Sequence, residues 1–224
     1  MKKLFLILTA FLSITALSAC GQRAEKTSKH KVDSKAHQLN DSAISLTMKS
    51  QDSLTYVKAI SLLNQATAID SDYYFAYWNK LAFQSQLEQY DKALLTTKQL
   101  LRLKPNAPDY YLSIGMLYEK TGDTTSANKY FHTGLSLYNN LLDTMSTKNK
   151  SYNILLMNKS LNLILVGQEK KGNEILKQLY DRQIDETFKE FYSSFMNKSR
   201  KEIIDNYINR KPSYSMKIKL TDNH

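Results

Sequence analysis

Three alanines spaced 34 residues apart, Ala59, Ala93 and Ala127, constrain this chain more than any other feature. A fixed period of that length means one supersecondary unit used repeatedly, each copy burying its apolar face only against its neighbours. Four residues past each alanine stand Leu63, Thr97 and Phe131. Seven past stand Ala66, Leu100 and Gly134, and ten past stand Ile69, Leu103 and Leu137. Offsets of 4, 7 and 10 share one face of a helix. The chain has only six Gly and three Pro in 224 residues. A β-sandwich needs a turn about every 8–12 residues and would use more of both. The reading is all-α.

The third unit carries the fullest motif: Tyr111-Leu-Ser-Ile-Gly115-Met-Leu-Tyr118-Glu-Lys-Thr-Gly122-Asp123, followed by Ala127 and Phe131. It resembles the tetratricopeptide repeat, a pair of helices A and B joined by a Gly-Asp turn. Tyr111, Ile114, Gly115 and Tyr118 match the family's aromatic, leucine, small and tyrosine places in helix A. Ala127 and Phe131 match its helix B. In the second unit Trp78, Leu81 and Ala82 fill the aromatic, leucine and small places, and Pro105 the closing proline. There the turn, Leu87-Glu88-Gln89, lacks glycine and reads as one residue short. In the first unit Ala43, Leu46 and Thr47 stand at those places. The resemblance is specific over residues 74–138 and weaker over 40–73. Small residues (Ala82, Gly115, Ala93, Ala127) let helices approach, and large ones (Trp78, Tyr111, Phe131) fill the gaps between pairs. All are expected in the core.

About three repeats therefore span residues 40–138. Residues 139–150 break the period. Helical spacing resumes at Tyr152, Leu155, Leu156, Lys159 and Leu163 and runs to Val166. Residues 167–172 read as a turn, and Ile175, Leu176, Leu179 and Tyr180 form a further apolar face. This is expected to be a degenerate fourth helix pair. The open face of a repeat stack needs cover. Residues 185–209, with Phe188, Phe191, Tyr192, Phe195, Ile203 and Ile204, are expected to supply one or two capping helices. Residues 210–224 show no helical period and read as a loose tail. The expected fold is a tetratricopeptide-type helical-hairpin solenoid with C-terminal capping helices.

The N-terminus reads as an address. Lys2 and Lys3 precede an apolar run over residues 4–17. That run is too short to span about 30 Å of hydrocarbon comfortably and fits a secretory signal. It ends in Leu17-Ser18-Ala19-Cys20-Gly21, which resembles a bacterial lipobox: signal peptide 1–19, then lipid on Cys20. Cys20 is the only cysteine, so no intramolecular disulfide or cysteine-based zinc cluster can form. Several acyl chains would anchor far more strongly than one. The resemblance implies an exported lipoprotein, and Gly21 rather than Asp after the cysteine points to the outer membrane. Residues 20–39 are polar and basic, with Val32 and Leu39 as their only large aliphatics. They read as a flexible tether.

No catalytic motif is found: no HExxH, GxSxG, P-loop or GxGxxG. Of four histidines, His30 and His37 fall in the tether, His224 is terminal, and His132 sits beside core Phe131 as a surface residue. No cofactor is implied. The formal net charge is +10, with fifteen basic and ten acidic residues in 141–224. A solvated basic face and a contact with anionic lipid, cell-wall or lipopolysaccharide phosphates both fit. Nucleic acid is no natural partner for an exported chain.

Two functions compete. The first is a membrane-anchored scaffold that binds a protein partner in its concave groove. Carried over from the family, helix A supplies Ile44, Met48 and Gln51 in the first repeat, Asn79, Phe83 and Gln86 in the second, and Leu112, Met116 and Glu119 in the third. Apolar groove residues suit an adaptable peptide site, or a strip covered by the chain's own ends. The second is an envelope lipoprotein that binds a glycan or small ligand, with Tyr73, Tyr74, Phe75, Tyr77 and Trp78 as stacking surfaces. Packing at a helix start explains the same cluster.

Overall fold

A computed structural model describes residues 30–208. The signal peptide, Cys20 and the loose tail expected from the sequence lie outside the described residues. The helices belong to one compact unit that begins at Val32. They are α1 (Ser34–Lys49), α2 (Ser53–Ile69), α3 (Tyr74–Gln86), α4 (Tyr90–Leu103), α5 (Pro108–Lys120), α6 (Thr124–Thr144), α7 (Tyr152–Leu165), α8 (Glu169–Arg182), α9 (Glu186–Ser193) and α10 (Arg200–Ile208). Among the described residues there is no strand, and no helix is long and apolar enough to cross a membrane.

Helices α1 to α8 pair as four hairpins, and each packs on the next. Aspartates start several of them. Asp52 accepts from Thr55 N at 2.7 Å and Asp123 from Ser126 N at 2.9 Å, satisfying amides that a helix start leaves unpaired. The recurring alanines are the contact points. Ala59, Ala93 and Ala127 are fully buried. A Cβ at Gly115 would collide with the Phe131 ring, so the α5–α6 hairpin closes only because that residue is glycine.

The turns fix the register. Gln89 N bonds Gln84 O and Asp123 N bonds Tyr118 O, both at 2.9 Å; Gln168 N bonds Leu163 O at 2.8 Å. The same turn thus recurs after α3, α5 and α7. Its left-handed residue is Glu88 (φ 54°), Gly122 (φ 87°) and Gly167 (φ 83°). The turn after α3 is therefore not shortened. Glu88 adopts the conformation that glycine supplies elsewhere. Helix α3 aligns with α5 at a constant 34 residues, which places Tyr77 opposite Tyr111, Leu81 opposite Gly115 and Ala82 opposite Met116. The sequence assignment of Trp78, Leu81 and Ala82 was one residue off.

Further boundaries move. The tether ends before residue 39: Asp33 caps α1, and Ala36, Leu39, Ala43 and Thr47 bury one face of it. Lys31, Lys35 and His37 are exposed, so the stretch looked wholly polar in sequence. Residues 139–144 continue α6, with Tyr138 and Leu142 buried, so the break in period is a longer helix followed by a loop. Gly172 is not in a turn but inside α8, where a Cβ would meet Ser160 O at 2.6 Å and Ile164. It plays in the fourth hairpin the part of Ala127 in the third.

Candidate functional site

The first helix of each hairpin (α1, α3, α5, α7) forms one row, and that row is the candidate binding face. Aspartate and amide side chains lock neighbours along it. Asp109 of α5 accepts from Tyr138 Oη of α6 at 2.5 Å and from Asn158 Nδ2 of α7 at 3.0 Å. Burial, then the Asp109 charge, pushes the Tyr138 hydroxyl well above its ordinary pKa. Asn79 of α3 donates to Asn40 Oδ1 of α1 at 2.8 Å.

Helix α10 lies on α5 and α7. Arg200 fixes its start: Nη2 reaches Glu119 Oε1 at 2.5 Å and Asn128 Oδ1 at 3.0 Å, Nη1 donates to Leu165 O, and the guanidinium stands 5.2 Å over the Phe131 ring. Lys120 pairs with Asp205 one turn later. Ile203 and Ile204 join the apolar cluster of Leu112, Met116, Met157 and Leu161. Ile208 reaches the neighbouring cluster of Ala93, Leu94, Ile114 and Leu117. Helix α9 packs on α8. Helix α10 instead lies on the first helices of the third and fourth hairpins, which its nine residues gave no sign of in sequence.

The nine groove residues carried over from the family therefore do not form one open strip. Leu112 and Met116 are 0% exposed, and Glu119 is held by Arg200. Phe83 is buried and stacked on Tyr56 of α2, with ring centroids 5.5 Å apart, so it belongs to the interior between hairpins. Phe83 and Met116 do not hold equivalent places: the turn register pairs Phe83 with Leu117. Gln51 lies in the α1–α2 loop, exposed. Ile44, Asn79 and Gln86 are half-buried, and Met48 is 54% exposed.

The open face is found by the corrected register. Phe75, Trp78, Ala82 and Gln86 of α3 are the equivalents of Asp109, Leu112, Met116 and Lys120 of α5. Phe75 is 36% exposed, and Trp78 and Ala82 are half-buried. The missing signal was the left-handed Glu88, which no composition rule flags.

The tyrosines of the aromatic cluster are taken up by packing, whereas Phe75 and Trp78 keep part of their surface open. Tyr73 and Tyr77 are buried, Tyr74 stacks on Trp78, and Tyr74 Oη meets Tyr110 Oη at 2.5 Å. Burial raises the Tyr73 hydroxyl to about 12. Among the described residues no group of three or more His, Cys, Asp or Glu could hold a metal ion. His132 is exposed.

No protein-family model and no curated protein matches the chain. Solved structures similar to it include MamA 41-end from Desulfovibrio magneticus RS-1, at 13% identity and TM-score 0.44 over 65% of this chain and 74% of that one. Another is YrrB, described as a TPR protein with an unusual peptide-binding site, at 15% and 0.46 over 84% and 88%. A third is TTC0263, a thermophilic TPR protein in Thermus thermophilus, at 17% and 0.49 over 83% and 95%. The repeat assignment rests on the recurrence within the chain itself: one turn geometry after α3, α5 and α7, and one small contact residue in the second helix of every hairpin, Ala59, Ala93, Ala127 and Gly172. By that recurrence the described chain is a tetratricopeptide-type stack of helical hairpins, with α10 laid across α5 and α7 of its row of first helices.

Proposed function

We propose that this chain is a non-enzymatic adaptor, anchored to the cell-envelope membrane through lipid on Cys20, that binds a protein segment on the α1–α3 part of its A-helix row. The observation that carries the proposal is the contrast between two equivalent faces. On α5, Leu112 and Met116 are closed off, whereas on α3 Phe75 and Trp78 still meet solvent. Half-exposed aromatics flanked by amides suit the apolar anchors of a peptide or helix. The anchor is supported by the lipobox-like Leu17-Ser18-Ala19-Cys20 and by the absence of any other cysteine. Outer-membrane residence follows from Gly21 on the same reading.

The test has two arms. Cys20→Ser is expected to move the protein out of the detergent phase or leave the precursor uncut, and an unchanged partition refutes lipidation there. In pull-downs from solubilised membranes, Phe75→Ala is expected to lose the captured protein. A glycan captured instead would point to the other class.

A further inference from the structure

We propose that the face of α5 and α7 beneath α10 is a helix-binding site and that α10 is its ligand in cis. In trans the site takes a partner's amphipathic helix of the same pattern: an arginine at its start, an apolar pair three and four residues on, and a carboxylate directly after the pair. This site is separate from the α3 face and does not rest on the reading of that face.

The occupant shows the chemistry of the site. At one end stand acceptors for a cation. Glu119 lies near the end of α5 with its side chain 15% exposed, and the Leu165 carbonyl closes α7. A helix leaves its last four carbonyls without partners of its own. Those of Asn162, Leu163 and Ile164 accept from the turn amides of Val166, Gln168 and Gly167, and that of Leu165 accepts from Arg200. A guanidinium reaches Glu119, Asn128 and this carbonyl together through its fixed fork. Next to Glu119, Lys120 offers an ammonium, which takes Asp205. The pairs are crossed in sign, so a helix entering in the opposite direction brings like charges together. Ile203 and Ile204 enter a cluster that includes Met116 and Met157. Methionines repack around apolar side chains of different shape, which suits a helix groove.

Helix α10 is built as a detachable segment. It carries its own start: Ser199 N donates to Glu202 Oε2 at 2.9 Å, and Glu202 N donates to Ser199 Oγ at 3.3 Å. Lys198 pairs with Glu202 and Lys201 with Asp205, each four residues apart. These local bonds favour a helix wherever the apolar pair finds cover. Nine residues without cover fall below the length that stays helical in water, so release returns α10 to coil. The link is short and lies outside the core. Phe195 before it is 1% exposed, whereas Asn197 and Ser199 are exposed, and Asn197 holds a left-handed φ of 55° that asparagine tolerates. The third and fourth hairpins keep their own closures without α10, at Gly115 against Phe131 and at Gly172 against Ile164.

Full-length protein in detergent micelles provides the test. In the parent chain, α10 amides are expected to exchange hydrogen through an opening that leaves α5 and α7 protected. Exchange of α10 only together with α5 and α7 overturns the proposal, whatever any variant does. The second arm uses a labelled, acetylated peptide of residues 198–208. Ile203→Ser/Ile204→Ser in the full chain is expected to bind it at least about tenfold more tightly than the parent does, because the occupied site lowers the competent fraction. Should that variant not fold, Arg200→Ala in the full chain replaces it as the opened form. A peptide carrying Arg200→Ala is expected to bind either opened chain far more weakly. Glu119→Ala in the opened chain should weaken the unaltered peptide by a similar factor and leave the Arg200→Ala peptide no weaker. Equal binding by parent and opened chains, equal binding of the two peptides, or independent losses from Glu119→Ala and the peptide's Arg200→Ala overturn the site.

Discussion

Glu88 and Gly122 occupy the same left-handed turn position, 34 residues apart, and only one of them is a glycine. For an L-residue with a Cβ that conformation costs about 1–2 kcal/mol. Glu88 is exposed, so burial of its side chain does not offset the strain. Glu88→Gly should relieve the strain, less the extra freedom a glycine gains on unfolding, for a net gain of about 0.5–1 kcal/mol. Thermal melting checks this. A lower melting temperature would mean that Glu88 makes a contact worth more than its strain.

That same residue explains how far the sequence could be read. The period was visible because Ala59, Ala93 and Ala127 must be small where helices touch, a requirement that shows in composition at fixed spacing. The fold class followed directly. The register of α3 did not, because the missing glycine looked like a missing residue, and one position of slip turned an interior residue, Phe83, into a groove residue. Helix α10 was illegible for another reason. Its apolar pair, Ile203 and Ile204, marks it as packed but not where. Its address is set by long-range polar contacts, Arg200 with Glu119 and Lys120 with Asp205, which leave no local pattern.

The third hairpin should be intolerant of added bulk at its contact point. Gly115→Ala places a methyl into the Phe131 ring, and Ala127→Leu overpacks the same side of α6. Each is expected to cost about 1–3 kcal/mol. Gly122→Ala meets no atom within 4 Å and should cost only the backbone strain, about 1 kcal/mol. Denaturant titrations of the three variants rank them. Pairing Gly115→Ala with Phe131→Leu should recover part of the loss, and no recovery would place the clash elsewhere.

Asn162 stands fully buried in α7 with neither amide atom hydrogen-bonded. Its place is that of Leu117 in α5, by the register of the turns. A buried amide without partners costs about 1–3 kcal/mol. Asn162→Leu restores the apolar residue of the repeat with the same branching and number of heavy atoms and should raise the denaturation midpoint at unchanged slope. A lowered midpoint would show that an ordered water satisfies the amide.

Acid should loosen α10. Hydrogen bonds from Lys120 and then Lys201 hold the Asp205 carboxyl below its ordinary pKa of 3.8. A carboxylate with a lowered folded pKa stabilises fully above the unfolded value and loses that contribution as pH falls through the folded one. The contribution should therefore be flat from neutrality down to about pH 5 and decline below about pH 4. Hydrogen exchange of α10 amides across that window measures it, and Asp205→Asn should show no such acid decline. A decline of equal size in Asp205→Asn would assign the acid limb to other carboxylates.

Arg200 should prove the residue that keeps α10 in place, and its charge alone should not suffice. Its planar fork serves Glu119, Asn128 and the Leu165 carbonyl together while lying over the Phe131 ring. A lysine ammonium carries the charge but cannot present donors in that fixed fan. Arg200→Ala leaves Glu119 largely buried without its partner. The expected loss is about 1–3 kcal/mol, below that of a fully buried pair because solvent reaches the site. Arg200→Lys should recover only a minor part of it. The loss should appear first as faster exchange in α10, with α1 to α4 unchanged, because neither of their hairpins supplies a partner to Arg200. If Arg200→Lys behaved like the parent protein, simple ion pairing would hold the helix, and the fan of donors would be incidental.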